Sequence, residues 1–183
     1  MKSFVIVLTA ASLAACSAPG PREADRYFLL DAGTPAVAHR TGPALVVAPT
    51  TAVSFYDTQD IAYSRAPGTR GYYQFNHWTE RPQRSIHRQL AMRLEGTGAR
   101  SALRLNTQLE EIYHDATREP GAAHITIRAE LVNAADGAVV ARRTFTRTAP
   151  AASYDAPGAV SGVNQALAGL LGEIEAWVVA AGR

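Results

Sequence analysis

The sequence between Ala102 and Thr148 alternates apolar and polar residues through three successive runs, which indicates strands with one buried face. In the first run the alternation assigns one face to these residues: Leu103, Leu105, Thr107, Leu109, Glu111 and Tyr113. In the second run the shared face consists of Ile125, Ile127, Ala129 and Leu131. The pair Asp136-Gly137 is a strong hairpin signal and leads into the third run, residues 138–148. The pattern therefore predicts an antiparallel meander.

Two other segments have the spacing of amphipathic helices. The first begins at Pro82, places Ile86, Leu90 and Leu94 along one face, and is predicted to end at Gly96 and Gly98. The second extends from about Pro157 to Ala180 and carries a wide apolar stripe, interpreted as a core face: Val160, Val163, Leu167, Leu170, Leu171, Ile174, Trp177 and Val178. Gly162, Gly169 and Gly172 lie in its interior, and tight packing against the sheet is a reason for glycine inside a helix.

Shorter strands are predicted before the first helix, at residues 26–31, 44–49, 61–65 and 71–75. The last two flank Ala66-Pro67-Gly68, which is typical of a hairpin. Together these elements predict one α+β domain over residues 26–181. Its sheet is mixed but mostly antiparallel, with the two helices packed on one face.

The chain's one cysteine, Cys16, follows an uncharged apolar run, residues 3–13, that is shorter than the roughly 20 residues of a membrane span. A charged start, an apolar middle and a small-residue end predict a secretory signal peptide over residues 1–15. Leu13-Ala14-Ala15-Cys16 resembles the bacterial lipobox, whose cysteine receives a diacylglyceryl group and then a fatty acyl group on its new amine. The alternative is a buried free cysteine. We expect a lipidated Cys16, with residues 16–25 as a flexible tether.

The charge balance after processing excludes some partners. Lys2 is the chain's only lysine and leaves with the signal peptide, so 17 arginines remain against 16 acidic residues. This near balance gives no reason to expect nucleic acid or acidic lipid as the main partner. The sequence indicates no cofactor beyond the diacylglyceryl and fatty acyl groups expected at Cys16.

No catalytic motif stands out, so the sequence predicts neither an enzyme nor a metal site. The histidines are dispersed, without the paired spacing of a zinc site: His39, His77, His87, His114 and His124. Glu110, Glu111 and His114 are close in sequence, but Glu111 and His114 of one strand point to opposite faces. We interpret this group as a solvated polar face.

Aromatic residues concentrate in the segment GYYQFNHW, just before the first helix. Tyr72, Tyr73 and Trp78 are candidate contacts for an apolar ligand or a partner protein. The alternative is that the aromatic residues fill the core where the sheet meets the helix, and the sequence leaves both open. Strand alternation predicts one face with Tyr72, Gln74 and Asn76, and the other with Tyr73, Phe75 and His77.

Taken in order, these elements resemble the ABC-type transport auxiliary lipoproteins. The motifs that carry the resemblance are the lipobox, Tyr27-Phe28-Leu29-Leu30, residues 61–65, residues 72–82, the hairpin at 131–145 and a final helix near Trp177. The resemblance implies a non-catalytic, lipid-anchored subunit that faces the periplasm. Its implied partners are an MCE (mammalian cell entry) protein, an ABC permease and an ATPase that transport lipids or other hydrophobic compounds.

Two alternative functions stay open at this point. One is a structural assembly lipoprotein of an outer-membrane complex, and the other is a lipid-binding module in which Tyr72, Tyr73 and Trp78 contact a lipid tail. Ser17 lacks the acidic signal that retains lipoproteins at the inner membrane of enteric bacteria, which favours the inner leaflet of the outer membrane over the inner membrane. The sequence leaves the oligomeric state open, including a homo-oligomer.

Overall fold

Three long strands form the meander that the alternating pattern predicts. The computed structural model describes residues 23–33, 45–95 and 102–182. Strands β6 (Leu103–Asp115), β7 (Ala122–Asn133) and β8 (Val139–Pro150) pair antiparallel in this order. The meander is therefore confirmed.

Shorter strands complete a mixed sheet on the other side of β6. They are β1 (Arg26–Phe28), β2 (Leu45–Val47), β3 (Thr51–Ala52), β4 (Asp60–Ser64) and β5 (Gly71–Trp78). The strand order is β1-β5-β4-β6-β7-β8, and β2, β3 and β4 pair in parallel with successive parts of β6. Strands β4 and β5 form the antiparallel hairpin that Ala66-Pro67-Gly68 predicts.

Both helices pack on the same face of this sheet. Helix α1 (Pro82–Leu94) buries Ile86, Leu90 and Leu94 completely, and α2 (Ala156–Ala181) packs along β7 and β8. Their apolar residues join those of the sheet in one hydrophobic core. The single α+β domain with two helices on one face is confirmed. The opposite face is called the outer face below.

Strand β1 ends three residues earlier than predicted, because the chain after Phe28 bonds to α1. The carbonyl of Leu30 accepts hydrogen bonds from Ser85 Oγ at 2.6 Å and from Gln89 Nε2 at 3.0 Å. The segment Leu29–Gly33 therefore lies against α1, where helix side chains satisfy its backbone groups.

A β-bulge in β6 changes which residues face the helices. Leu109 pairs with Ile127 and Glu111 pairs with Thr126, so Glu110 is an extra residue in β6. After the bulge Ile112 and His114 face the helices, while Glu111 and Tyr113 lie on the outer face. The prediction that Glu111 and Tyr113 share the face of Leu109 is wrong, because an extra residue inverts the alternation.

Several predicted features lie outside the described residues: the signal peptide at 1–15, Cys16, the tether up to residue 22, and the helix-ending Gly96 and Gly98. Within the described ranges, none of the helices combines the length and the apolar character that crossing a membrane requires.

Glycine permits the close approach of α2 to the sheet at one position but not at another. A Cβ atom on Gly162 would lie 2.9 Å from the Cβ of Ala123 and 2.9 Å from the carbonyl oxygen of Pro150. A Cβ atom on Gly172 would meet nothing within 4 Å. The packing explanation therefore holds for Gly162 and not for Gly172.

We expect Gly162→Ala to lower the free energy of unfolding by about 1–2 kcal/mol, because the added methyl group forces α2 away from β7. Gly172→Ala is the matched control and should raise stability by up to about 1 kcal/mol through helix propensity alone. Urea unfolding of both variants checks this pair, and equal shifts of the same sign would contradict it.

Candidate functional site

The aromatic segment of β5 divides between the two faces of the sheet. Tyr72 is 38% exposed and lies on the outer face, where its hydroxyl donates a hydrogen bond to the carbonyl of Phe55 at 2.7 Å. Tyr73 points to the helix side and is half-buried against the core. The opposite orientations of Tyr72 and Tyr73 follow the predicted alternation.

Trp78 lies in the core and is only 2% exposed. The cause is an irregularity between β4 and β5, where Asp60 pairs with His77 and Ala62 pairs with Tyr72. Between these two pairs the chain advances two residues along β4 but five along β5, so β5 contains three extra residues. Because three is an odd number, the side chains after the irregularity point to the opposite face, and Trp78 enters the core. In this position Trp78 is not available at the surface to a ligand or partner. The irregularity also places His77 on the face of Tyr27, whereas the alternation predicts the face of Tyr73.

Tyr73 forms a buried polar pair with His114 on the helix side. The Nε2 atom of His114 is 3.0 Å from the carbonyl oxygen of Pro120, which can only accept, so Nε2 carries a proton. Nδ1 then accepts the Tyr73 hydroxyl at 2.7 Å. Burial raises the pKa of Tyr73 to about 12. His114 itself is 1% exposed, so its interpretation as part of a solvated face is wrong: the bulge at Glu110 turns it inward.

Residues from the hairpin, the 3-10 helix at Ser54–Tyr56, β6 and β7 meet on the outer face. We call this group the outer-face cluster: Phe55, Tyr56, Arg70, Tyr72, Glu111, Tyr113 and His124. Arg70 lies at its centre. Its Nε donates to Tyr56 Oη at 3.1 Å, its Nη2 is 3.3 Å from Glu111 Oε1, and its guanidinium carbon is 3.7 Å from the centre of the Tyr113 ring.

Stacked rings extend the cluster on both sides of Arg70. Phe55 stacks on Tyr72 with ring centres 4.6 Å apart, and the Tyr113 ring lies 4.9 Å from the ring of His124. Burial raises the pKa of Tyr56, against the lowering effect of the hydrogen bond from Arg70. These contacts hold the exposed Tyr72 ring and the partly buried Phe55, Tyr113 and His124 rings in fixed positions, which lowers the entropy lost when a partner binds them.

The polar groups of the cluster do not form a nucleophile–base relay. His124 Nε2 is 2.9 Å from Glu111 Oε2 and 3.2 Å from Thr126 Oγ1, so both oxygens approach the same ring nitrogen. A relay of the Ser-His-Asp type needs the hydroxyl and the carboxylate on different nitrogens. Among the residues that the structure describes, no three metal-ligating side chains converge.

The described surface also contains two shallow cavities with polar linings. One, of about 340 Å³, lies on the outer face between Thr51, Gln108, Arg128 and Arg142. The other, of about 280 Å³, lies beside β1 between Tyr27, Asp60, His77 and Arg81. Charged and amide groups in both linings make them poor sites for a lipid tail.

Sequence reasoning selected Tyr72 and missed the rest of the outer-face cluster. Arg70, Glu111 and His124 are far apart in the chain and only the strand register brings them together. The one local signal was the pair Glu110-Glu111, which interrupts the alternation of β6. Contacts of Tyr72 and Tyr73 with a ligand or partner stay a prediction.

Comparison with known proteins identifies both sequence and structural relatives. A family model described as "ABC-type transport auxiliary lipoprotein component" matches residues 27–175. No curated protein matches the chain. The crystal structure of protein XCC0632 from Xanthomonas campestris, a DUF330 protein, is similar with a TM-score of 0.77 and 24% identity, covering 86% of this chain and 96% of that one.

A second crystal structure, of an uncharacterized protein, has a TM-score of 0.65 and 14% identity, covering 85% of this chain and 99% of that one. At these identities the structural likeness establishes a shared fold.

Removal of the Tyr73 hydroxyl tests the buried pair with His114. Tyr73 ionises near pH 10 when unfolded and about 12 when folded, so its contribution to stability is complete below pH 10 and is lost as the pH rises to 12. Tyr73→Phe should lower the free energy of unfolding by about 1–3 kcal/mol at neutral pH, because His114 Nδ1 loses its donor. Denaturant unfolding across the pH range should show the gap to the wild type narrowing between pH 10 and 12. A gap that stays constant would contradict this prediction.

Proposed function

The chain belongs to the family of ABC-type transport auxiliary lipoprotein components, and we propose that it links a membrane to an MCE-type lipid transporter. In this proposal it is a lipid-anchored, periplasm-facing subunit that docks to the MCE-domain protein, next to the ABC permease and ATPase, and catalyses nothing itself. The observation that carries the proposal is the family match over residues 27–175, which begins eleven residues after the expected lipid attachment at Cys16.

Anchoring follows from the chemistry expected at Cys16. One acyl chain gives only marginal membrane binding, whereas a diacylglyceryl group with a further fatty acyl chain holds a protein on the bilayer. The family match begins eleven residues after Cys16, and eleven extended residues span at most about 40 Å. The domain would therefore stay beside the membrane. With Ser17 after the cysteine, we place the anchor in the inner leaflet of the outer membrane.

The outer-face cluster is the surface that we propose for docking. Tyrosine and arginine are enriched among the residues that dominate binding energy at protein interfaces. Tyr72 presents an exposed ring that is held by its stack on Phe55, and Arg70 presents a partly exposed guanidinium held by Tyr56 and Glu111. These contacts preorganise both side chains for a protein partner.

A non-catalytic role is supported by the arrangement around His124. Glu111 and Thr126 compete for Nε2 of its ring, so the group has the geometry of a structural hydrogen-bond cluster. The polar linings of these two cavities make neither of them a site that would enclose a lipid tail.

Lipidation is tested by intact-mass spectrometry of the protein extracted from membranes. We expect a chain that begins at Cys16, with added mass equal to one diacylglyceryl group and one fatty acyl group. In Cys16→Ala the added mass should be absent, because no sulfur is available for the thioether. An unmodified wild-type chain would contradict the anchoring proposal.

Docking is tested by co-purification from native membranes in a mild detergent. Tyr72→Ala should raise the dissociation constant for the MCE-domain protein about thirtyfold, as expected for loss of about 2 kcal/mol at an interface anchor. Recovery of the MCE-domain protein should fall accordingly.

Tyr154→Ala is the matched control for Tyr72→Ala. Tyr154 is 40% exposed and its hydroxyl likewise donates to a backbone carbonyl, that of Ala116 at 2.6 Å, but it lies on the helix side. Recovery should stay at the wild-type level in this variant. Equal loss in both variants, or recovery of an outer-membrane barrel without any MCE-domain protein, would overturn the proposal.

A further inference from the structure

The first described residues lie at one edge of the sheet. Strand β1 is the outermost strand on one side, and β8 lies five strand spacings away, about 24 Å. Glu23 is seven residues after Cys16, so extended chain places it at most about 25 Å from the sulfur. We call β1, the segment Leu29–Gly33 and α1 the N-terminal edge. A lipid at Cys16 would keep the chain that enters this edge within about 25 Å of the bilayer, and the surface of the edge itself then decides which side of the domain contacts the lipid.

The N-terminal edge also exposes the largest apolar surfaces of the described chain. Leu29 and Met92 are 67% and 63% exposed, more than any other large hydrophobic residue described, whereas Tyr27, at 61%, lies on the outer face beside His77. Leu29 and Met92 belong to adjoining elements, because Arg93 Nη2 donates to the carbonyl of Gly33 at 3.3 Å and Gln89 bonds to Leu30. The two most exposed large hydrophobic side chains therefore belong to adjoining elements of one edge, which favours a surface that contacts more than water.

The charge of α1 complements the phosphate groups of a membrane. The helix contains Arg84, Arg88 and Arg93 and no acidic residue, whereas α2 contains Glu173 and Glu175 and no basic residue. Arg84, Arg88 and Met92 are spaced by four, so they share a stripe roughly opposite the buried Ile86 and Leu90.

Neighbouring carboxylates neutralise only part of this charge. Arg88 pairs with Glu80 at 2.6 Å, and Asp31 lies near enough to act on its charge. Within the described ranges, neither Arg84 nor Arg93 has a carboxylate within ion-pair distance. A bilayer with anionic phospholipids would supply the missing counter-charges.

We infer that the N-terminal edge rests on an anionic phospholipid bilayer, with Leu29 and Met92 in the headgroup region and the α1 arginines against the phosphates. The inference rests on the proposed lipid attachment at Cys16 and assigns the side of the domain that faces the membrane. The outer-face cluster, on the other side of the sheet from α1, then points away from the lipid.

The test uses the full mature lipidated protein in vesicles of phosphatidylethanolamine and phosphatidylglycerol. Lipidation consumes the sulfur of Cys16, so Met92→Cys introduces the one reactive thiol, which carries an environment-sensitive fluorophore. Thr144→Cys, exposed on the outer face of β8, is the matched control. Lipids with brominated acyl chains should quench the label at residue 92 and leave the label at residue 144 unquenched.

A charge variant adds a second readout. In the Met92→Cys background, Arg84→Gln should lower the ratio of docked to undocked orientation roughly fivefold, because an arginine near an anionic surface contributes about that factor. Arg143→Gln is the charge-matched control on β8, since Arg143 is also exposed and has no carboxylate partner in the described part of the chain. Its quenching should equal that of the parent.

Vesicle flotation separates the two proposals. If the protein floats with the vesicles but both labels are quenched equally, or neither is quenched, the orientation is wrong while lipid anchoring stands. If the protein does not float, both the anchoring and the orientation are overturned.

Discussion

The burial of one face of the sheet beneath both helices is the constraint on which the rest of the structure depends. Strand alternation directs Leu105, Leu109, Ile125 and Ile127 to this face, where they are completely buried. Helix α2 comes close to the sheet because its Gly162 has no side chain against Ala123. The same packing encloses polar groups such as Tyr73 and His114, which are retained because each satisfies the other.

Because the helices cover one face of the sheet, the polar and aromatic side chains of the sheet that can contact a partner lie on the outer face. The outer face carries ion pairs and aromatic rings from segments that are distant in the chain, with Arg70 between Tyr56, Tyr113 and Glu111. Exposed ion pairs contribute little to stability. The main effect of these contacts is therefore to fix the positions of the Arg70 guanidinium and the neighbouring aromatic rings. Aromatic and arginine side chains held in fixed positions favour a role in binding a protein over a role in enclosing a ligand or in catalysis.

The two proposed contacts are geometrically compatible within one small domain. Helix α1 and the segment Leu29–Gly33 lie on the helix side of the sheet, and the outer-face cluster lies on the opposite side. A bilayer against the first would leave the second free for a transporter subunit. Both contacts are proposals for a chain that belongs to the family of ABC-type transport auxiliary lipoprotein components.

The amino-acid pattern by itself determined the meander, both helices, the β4–β5 hairpin and the burial of Ile86, Leu90 and Leu94, because these depend on contacts or periodicities that are local in the chain. It also predicts lipidation at Cys16, a prediction that depends only on adjacent residues. Tertiary structure alone decided that Trp78 and His114 are buried and that Glu111 lies beside Arg70 and His124. The physical reason is that an odd number of extra residues in a bulge inverts every later side chain, and the bulge arises from pairing with another strand.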